Sequence, residues 1–167
     1  MAVSVIEMAP GLAADRAGDE RIERFAAVNF HKAIIIELVL ELIKLAQSVR
    51  QNAYAPYSHY QVGAALETVA GSTYTGCNAE VASYSETDHA ERSAISQAII
   101  AGAARDNIHF IKRMAVVHDQ GTPPCGGCLQ RIAEHATPET MIITATPDGQ
   151  QTGEYRLVDL LPYSFKI

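Results

Sequence analysis

The sequence predicts an α/β protein of three layers, in which a mixed sheet of five strands is covered by helices on both faces. Three observations carry this prediction: a long helical pattern comes first, two short strands around a glycine turn follow, and helices then alternate with apolar strands. The 167 residues, 48% of them hydrophobic, are enough for one compact core and too few for two. We therefore expect a single domain.

The first part of the chain divides into an extension and a helix. Residues 1 to about 20 mix Ala, Gly, Asp and Pro without periodicity, which is typical of a loose extension. Residues 20–51 follow a helical pattern, and the run from Ala33 to Ile43 is apolar on more than one face. Such a helix could pack against the sheet and a partner subunit together; a well-covered monomer core is the alternative. We place the domain boundary between an N-terminal extension, residues 1–30, and a folded domain, residues 31–167.

The remaining elements follow in regular order. The pattern predicts strands at residues 61–68 and 72–76, a helix at 89–103, a strand at 110–117, a short helix at 125–134, and strands at 141–144 and 154–158. Gly71 lies in the turn of the opening hairpin, Gly102 ends the first of these helices, and Pro147-Asp148-Gly149 forms a later turn.

Charge and cysteine content limit the classes of function. The net charge of −6 and the lack of a basic cluster argue against RNA or DNA as a substrate, since phosphate contacts need Lys and Arg. A small uncharged molecule fits better. No apolar stretch approaches the ~20 residues of a membrane span, so we expect no membrane partner. Three cysteines without a disulfide framework, and no signal pattern at the N-terminus, predict a cytoplasmic protein.

The strongest local signal is a group of residue types that zinc prefers. His89 and Glu91 lie two residues apart, and about 35 residues later Pro124-Cys125-Gly126-Gly127-Cys128 places two cysteines on one face of a first helical turn. One imidazole and two thiolates are three zinc ligands, which leave the fourth tetrahedral position open, as in catalytic sites. His-x-Glu followed by Pro-Cys-x-x-Cys is typical of zinc-dependent deamination of a nucleobase.

Glu91 has a different role from the three ligands. Zinc makes water a nucleophile near neutral pH. We expect Glu91 to take the proton of that water, to pass it to the ring nitrogen beside the attacked carbon, and later to protonate the departing ammonia. Taken alone, the two cysteines could equally form a structural half-site or a redox pair. A structural site would need a fourth protein ligand, and a redox pair would need no His-x-Glu upstream.

Several segments resemble the cytidine deaminases, in that family's order and close to its spacing. They are Ala55-Pro56-Tyr57-Ser58-His59-Tyr60-Gln61-Val62-Gly63-Ala64-Ala65-Leu66, Gly76-Cys77-Asn78-Ala79-Glu80, Ala82-Ser83-Tyr84, His89-Ala90-Glu91-Arg92, Pro124-Cys125-Gly126-Gly127-Cys128 and Leu160-Leu161-Pro162-Tyr163-Ser164-Phe165. The resemblance implies a cytidine-deaminase-like α/β/α fold for residues 31–167 and one Zn²⁺ per subunit. It also implies hydrolytic deamination of cytidine or deoxycytidine to uridine or deoxyuridine, in pyrimidine salvage.

The resemblance further implies which residues contact the substrate. The family's Asn and Glu that match Asn78 and Glu80 bind the ribose hydroxyls, so a nucleoside is expected rather than a free base. An amide and a carboxylate two residues apart on an extended segment project to the same side. Tyr60 stands where the family usually has a Phe that lines the pocket. Phe165 matches a C-terminal Phe that completes a neighbour's pocket in homotetramers, so we expect a homotetramer, with a dimer as the alternative.

At several positions the sequence departs from the family pattern, and these departures are compatible with a different substrate. His89 replaces a Cys that small single-domain members usually have, and Leu129 replaces an Arg; together they leave the metal's protein ligands electrically neutral with fewer cations nearby. Asp88 is interpreted as the N-cap of the helix that begins at residue 89. Glu86 could instead face a positively charged substrate. A modified or aminoacylated cytosine nucleoside, of the blasticidin type, is therefore the alternative; a polynucleotide-editing deaminase and a non-catalytic zinc module are weaker ones.

Overall fold

The long first helix is continuous from Arg16 to Arg50 (α1). The computed structural model describes the backbone of residues 16–166 and the side chains of residues 26–166. Its contacts divide the chain into two units, Met1–Leu38 and Val39–Ile167. The helix starts earlier than predicted: residues 16–20 are helical rather than loose, although Gly18 is a poor helix former. Residues 1–15 of the predicted extension lie outside the described residues, and the boundary at residue 30 stays a prediction.

The second unit contains a five-stranded mixed sheet, as predicted. Its strands are β1 (Gly63–Thr68), β2 (Thr73–Cys77), β3 (Ile111–Val117), β4 (Ala136–Ala145) and β5 (Gln151–Arg156), in the order β2-β1-β3-β4-β5. Its further helices are α2 (Ala90–Ile100), α3 (Gly126–Glu134), α4 (Leu157–Leu160) and a 3-10 turn (Tyr84–Glu86). Within this sheet, β3 and β4 pair in parallel and the other neighbouring strands pair antiparallel.

The two faces of the sheet are both buried, which confirms the three-layer prediction. Successive strand residues point to opposite faces. Leu66 therefore packs with the layer that contains α2 and α3, whereas Ala65 packs with the α1 side chains Leu42, Ile43 and Ala46. Each fully buried Leu or Ile side chain contributes about 1.5–3 kcal/mol relative to exposure. On the opposite side of α1, Leu40 is 46% exposed, so the helix is not covered all round within this unit.

Three differences from the sequence prediction have physical causes. β4 begins at Ala136, five residues earlier than expected, because Pro138 makes this stretch of sequence resemble a turn. The pairing of β3 with β4 is irregular here, and the Thr140 hydroxyl donates a hydrogen bond to the Ile111 carbonyl across the irregularity. β5 ends earlier than expected because Leu157 is buried in α4. The 3-10 turn and α4 were missed because neither is long enough to show a helical period. No helix among the described residues combines the length and hydrophobicity of a bilayer span.

The elements that carry the site meet beside the end of β3. Gly76 of β2 allows α2 to pack closely, because a Cβ there would lie 2.3 Å from the Ala94 backbone nitrogen. β3 ends at Val117, and the loop from residue 118 to residue 125 leads directly into α3. The N-termini of α2 and α3 are thereby brought together.

Candidate metal centre and active site

The structure brings the three predicted metal ligands together. The Nδ1 atom of His89 lies 3.7 Å from the Sγ of Cys125 and 3.3 Å from the Sγ of Cys128. All three donor atoms lie within 4.8 Å of one another. Nitrogen and sulfur ligands of one tetrahedral zinc are separated by ~3.6 Å, given Zn–N near 2.05 Å and Zn–S near 2.3 Å. The geometry and the donor set therefore fit zinc.

Helix starts place these ligands. His89 is the N-cap of α2, Cys125 is the N-cap of α3, and Cys128 lies in the first turn of α3. Burial raises the pKa of the Cys128 thiol, and the negative charges of Glu91 and Cys125 raise it further. The N-terminal end of α3 and a divalent cation act in the opposite direction, since both favour the thiolate. A cation is the natural partner of this buried sulfur.

Glu91 lies beside the ligands without being one of the three donors. It occupies the first turn of α2 and is 4% exposed. Its negative charge raises the pKa of the Cys128 thiol, as described above. The structure thus places the Glu91 carboxylate beside the three donor atoms, and its role as a proton acceptor stays a prediction.

A cavity of about 450 Å³ opens in front of the ligands, a volume in the range of small-molecule sites. Its lining combines the metal end with polar residues from preceding segments. The lining residues are Ser58, Tyr60, Val62, Asn78, Glu80, Tyr84, Thr87, His89, Ala90, Glu91, Val116, His118, Thr122, Pro123, Pro124 and Cys125. The predicted residues Asn78, Glu80 and Tyr60 thus face the same cavity as Glu91.

Comparison with known proteins agrees with this site. The family described as "Cytidine and deoxycytidylate deaminase zinc-binding region" matches residues 37–144. The chain belongs to this deaminase family. It is 38% identical over 129 residues to a cytidine deaminase of Sporosarcina psychrophila, covering 76% of this chain and 90% of the relative. It is 41% identical over 126 residues to one of Halalkalibacterium halodurans, covering 74% and 91%.

Solved structures of cytidine deaminases share the fold. A crystal structure of the enzyme from Burkholderia pseudomallei has a TM-score of 0.69 at 37% identity and covers 75% of this chain and 97% of its own. The enzyme from Mycobacterium tuberculosis has a TM-score of 0.63 at 34% identity, over 76% of this chain and 96% of its own. The family's fold therefore accounts for the second unit.

In this member of the deaminase family, the Asn78 side chain forms hydrogen bonds with the backbone of residues 60–62. Its Oδ1 accepts from the Val62 backbone N–H at 2.8 Å, and its Nδ2 donates to the Tyr60 carbonyl at 2.8 Å. One hydrogen on Nδ2 and one lone pair on Oδ1 remain for other partners. Asn78 is 6% exposed, so its amide is fixed in orientation.

Glu80 is held as an anion. Its carboxylate accepts hydrogen bonds from the hydroxyl and backbone N–H of Ser58 and from the backbone N–H of Tyr57. The Ser58 hydroxyl is the main cause that lowers the pKa of Glu80, and the two backbone donors lower it further. A carboxylate that is ionised and oriented in advance suits recognition of hydroxyl donors.

Sequence reasoning missed the partner of the Tyr60 hydroxyl. This hydroxyl lies 2.5 Å from Nδ1 of His118 and 3.0 Å from Oε1 of Gln120. Burial raises the pKa of Tyr60, and the nearby Asp119 raises it further. His118 follows the last residue of β3, and ends of neighbouring parallel strands commonly form sites; that position was the available signal.

Phe165 lies away from its own chain's cavity. Its side chain is 71% exposed, while its backbone N–H and carbonyl bond to the Gln130 amide of α3 at 2.9 Å and 2.8 Å. α3 carries Cys128, so the tail is docked on the helix that carries a ligand, with the phenyl ring directed outward.

Two predictions about nearby residues are wrong or lose support. Asp88 is not the N-cap of α2, because its backbone pairs with Ala79 in an antiparallel bridge; His89 is the N-cap. Glu86 is exposed and is not among the cavity residues. Leu129, 6% exposed, packs in the core.

Proposed function

We propose that this protein is a zinc-dependent hydrolase that converts cytidine or deoxycytidine and water to uridine or deoxyuridine and ammonia. The observation that carries the proposal is that the His89 nitrogen and the two cysteine sulfurs lie within 4.8 Å of one another, at a cavity that His89, Cys125 and Glu91 line. The names of its relatives, cytidine deaminases at 34–41% identity, support the same substrate class.

His89, Cys125 and Cys128 are the residues that hold the zinc ion in this proposal. Zinc at such a site supplies the Lewis acidity that makes water a nucleophile near neutral pH. Glu91 accepts a proton from the attacking water and delivers it to N3 of the cytosine ring. It then takes the proton of the new hydroxyl at C4 and delivers it to the departing amine, so that C4 becomes a carbonyl and ammonia leaves. The burial of Glu91 limits competing exchange with bulk water.

Asn78 and Glu80 favour a nucleoside over the free base. The Glu80 carboxylate accepts from a sugar hydroxyl, and the free hydrogen of the Asn78 amide donates to a sugar oxygen. Both groups are oriented by bonds to neighbouring backbone, so little side-chain entropy is lost when a nucleoside binds. The Tyr60 ring forms a flat part of the cavity wall beside these two residues.

The modified or aminoacylated cytosine nucleoside is not favoured as substrate. Glu86, the residue that would recognise an added positive charge, is exposed and outside the cavity lining. The Tyr60 hydroxyl, a second candidate contact, already has partners within the chain. The relatives compared above carry the name cytidine deaminase.

We also propose a cytoplasmic homotetramer that acts in pyrimidine salvage and in which Phe165 reaches the cavity of a neighbouring subunit. The outward phenyl ring and the tail's attachment to Gln130 support this role. Deleting residues 164–167 tests it: we expect loss of activity per subunit, and tetramers seen by native mass spectrometry of the full chain. Full activity of the deleted chain would contradict the role of Phe165.

A substrate panel tests the activity itself. We expect the zinc-loaded protein to release ammonia from cytidine and deoxycytidine, with much lower kcat/KM for cytosine. Blasticidin and single-stranded DNA oligonucleotides are included as the competing substrates. Turnover of none of the cytosine nucleosides by protein with one zinc per subunit would refute the proposal.

A further inference from the structure

His118 joins two parts of the site that are far apart in sequence. The imidazole is buried, with 5% exposure. Its Nδ1 lies 2.5 Å from the Tyr60 hydroxyl, and its Nε2 lies 2.9 Å from the carbonyl oxygen and 3.2 Å from the backbone nitrogen of Thr122. One ring therefore contacts the wall of the cavity with one nitrogen and the chain that leads to Cys125 with the other.

This connection does not depend on the tautomer of the imidazole. With the proton on Nε2, that nitrogen donates to the Thr122 carbonyl and Nδ1 accepts from the Tyr60 hydroxyl. With the proton on Nδ1, that nitrogen donates to the Tyr60 oxygen, and Nε2 accepts from the Thr122 N–H; the Tyr60 hydroxyl then donates to Gln120. Either arrangement ties Tyr60 to Thr122.

The segment after Thr122 needs such a support. Pro123 and Pro124 follow it, and prolines have no backbone N–H with which to bond to neighbouring structure. Cys125 is the next residue and is exposed. Thr122 is consequently the last residue before this ligand whose backbone N–H can be held.

A second link joins the same two segments farther from the cavity. Arg50 bonds to the Asp119 carboxylate at 2.6 Å and to the Gln61 carbonyl at 3.0 Å. Neither Asp119 nor Arg50 lines the cavity. The Arg50–Asp119 link can be compared with the His118 link, because it holds the same loop without a hydrogen bond to Tyr60 or Thr122.

We propose that His118 is a positioning residue that fixes the Tyr60 wall and the Cys125 ligand relative to each other. The part of this proposal that concerns substrate binding rests on the proposed function. The part that concerns metal binding does not. Through Nδ1, His118 determines where the Tyr60 ring meets the nucleoside. Through Nε2 it restrains the segment that presents the Cys125 sulfur. The two effects use different bonds and can be separated.

Two variants at His118 and one at Tyr60 separate the effects. His118→Leu removes the bonds of both ring nitrogens, and the side chain in His118→Asn is too short to span both partners. Tyr60→Phe removes the bonds of the Tyr60 hydroxyl to Nδ1 and to the Gln120 side chain, and leaves the bonds of Nε2 in place. We expect release of zinc to a chelator to be about 3- to 10-fold faster in both His118 variants, below the 10–100-fold effect of a ligand's direct partner. Tyr60→Phe should leave zinc release unchanged and raise KM for cytidine about 2- to 10-fold, with kcat nearly constant.

A double-mutant cycle gives the readout that a purely structural role would not produce. In the Tyr60→Phe background, His118→Leu should raise KM less than it does in the original protein, since the shared bond is already lost. Its effect on zinc release should remain complete in that background, because it acts through Thr122. His109→Leu, at an exposed histidine, and Asp119→Asn serve as controls and should release zinc at the original rate.

Unchanged zinc release in His118→Asn, or KM effects of Tyr60 and His118 that simply multiply, would overturn the proposal. Equal acceleration of zinc release by Asp119→Asn would do so as well, since general loosening of the loop would then explain the result. His118→Asn decides the question if His118→Leu does not fold. Because zinc release is measured without substrate, it decides the role of His118 even if no cytosine nucleoside is turned over.

Discussion

The two ends of the cavity are built in different ways. At the metal end, His89, Cys125 and Cys128 sit on the starts of two helices, and each helix packs on the sheet. At the opposite end, Asn78 and Glu80 lie on a segment between β2 and the 3-10 turn. Two isolated backbone bridges hold that segment to Tyr54 and Asp88, and its own side chains bond the backbone of residues 57–62.

This difference predicts how each end responds to substitution. We assign the ligand side chains at the metal end one task, because the side chains of His89 and Cys125 form no capping hydrogen bond with their own helices. Asn78 and Glu80 have two tasks: they bind the segment that forms the cavity wall, and they face the cavity. A change at the metal end should therefore alter chemistry with limited structural cost, whereas a change at the other end should alter binding and stability together.

The largest effect is expected from removing a ligand at the metal end. In Cys128→Ser, we expect zinc affinity to fall by more than about 100-fold, since even loss of a ligand's hydrogen-bond partner costs 10–100-fold. Turnover of cytidine should fall to background. Zinc content is measured by elemental analysis and activity by ammonia release. Cys77→Ser is the matched control: Cys77 is half-buried at the end of β2 and should keep one zinc per subunit. Full zinc content in Cys128→Ser would contradict the assignment of this ligand.

The next largest effect is expected at Glu91. Replacing it by Gln removes the proton carrier and keeps the shape, so kcat should fall by about 10²- to 10⁴-fold. Zinc content should remain at one per subunit, because Glu91 is not one of the three donors. Glu134→Gln changes an exposed carboxylate on α3 and should keep the original kcat. A kcat within twofold of the original in Glu91→Gln would remove Glu91 from the reaction.

The sequence predicts the metal end better than the opposite end for the same reason. Residues at the start of a regular helix have fixed spacing, so the ligands Cys125 and Cys128, and Glu91 beside the ligand His89, can be interpreted from sequence alone. The second task of Asn78 depends on residues 60 and 62, which an irregular segment brings opposite it. His118 could not be paired with Tyr60 from sequence, since 58 residues separate them and no period links them. The strand predicted at residues 141–144 was shorter than β4, because Pro138 and the irregular pairing obscure the strand pattern of its first residues.

A moderate effect on binding is expected at the opposite end. Glu80→Gln keeps the size of the side chain but removes its charge, and a hydrogen bond to a charged group is worth about 1.5–3 kcal/mol. KM for cytidine should rise by about 10- to 100-fold, while kcat falls less. The melting temperature should fall too, because an amide nitrogen replaces an oxygen that accepts bonds from residues 57 and 58.

Glu86→Gln is the matched control for this change. Glu86 lies six residues further along the chain, is exposed and does not line the cavity. Its KM and melting temperature should equal those of the original protein. A rise in KM for Glu86→Gln as large as that for Glu80→Gln would bring Glu86 back as a substrate contact, and with it the modified nucleosides.

The smallest effect is a shift in pH dependence at Ser58. The Ser58 hydroxyl is the largest cause of the lowered pKa of Glu80, so Ser58→Ala should raise that pKa towards its ordinary value. A carboxyl group with a depressed pKa in the folded protein stabilises it above the pKa of the unfolded chain. That stabilisation is lost as pH falls through the folded pKa. In Ser58→Ala this stabilisation should be smaller, and its loss should be complete at a higher pH, which melting curves measured between neutral and acidic pH would detect. The two backbone donors remain in the variant, so the shift should be smaller than full removal of the Glu80 charge produces. Identical stability curves at acidic pH in the two proteins would mean that the other donors, the backbone N–H groups of residues 57 and 58 and the Tyr84 hydroxyl, keep Glu80 ionised without Ser58.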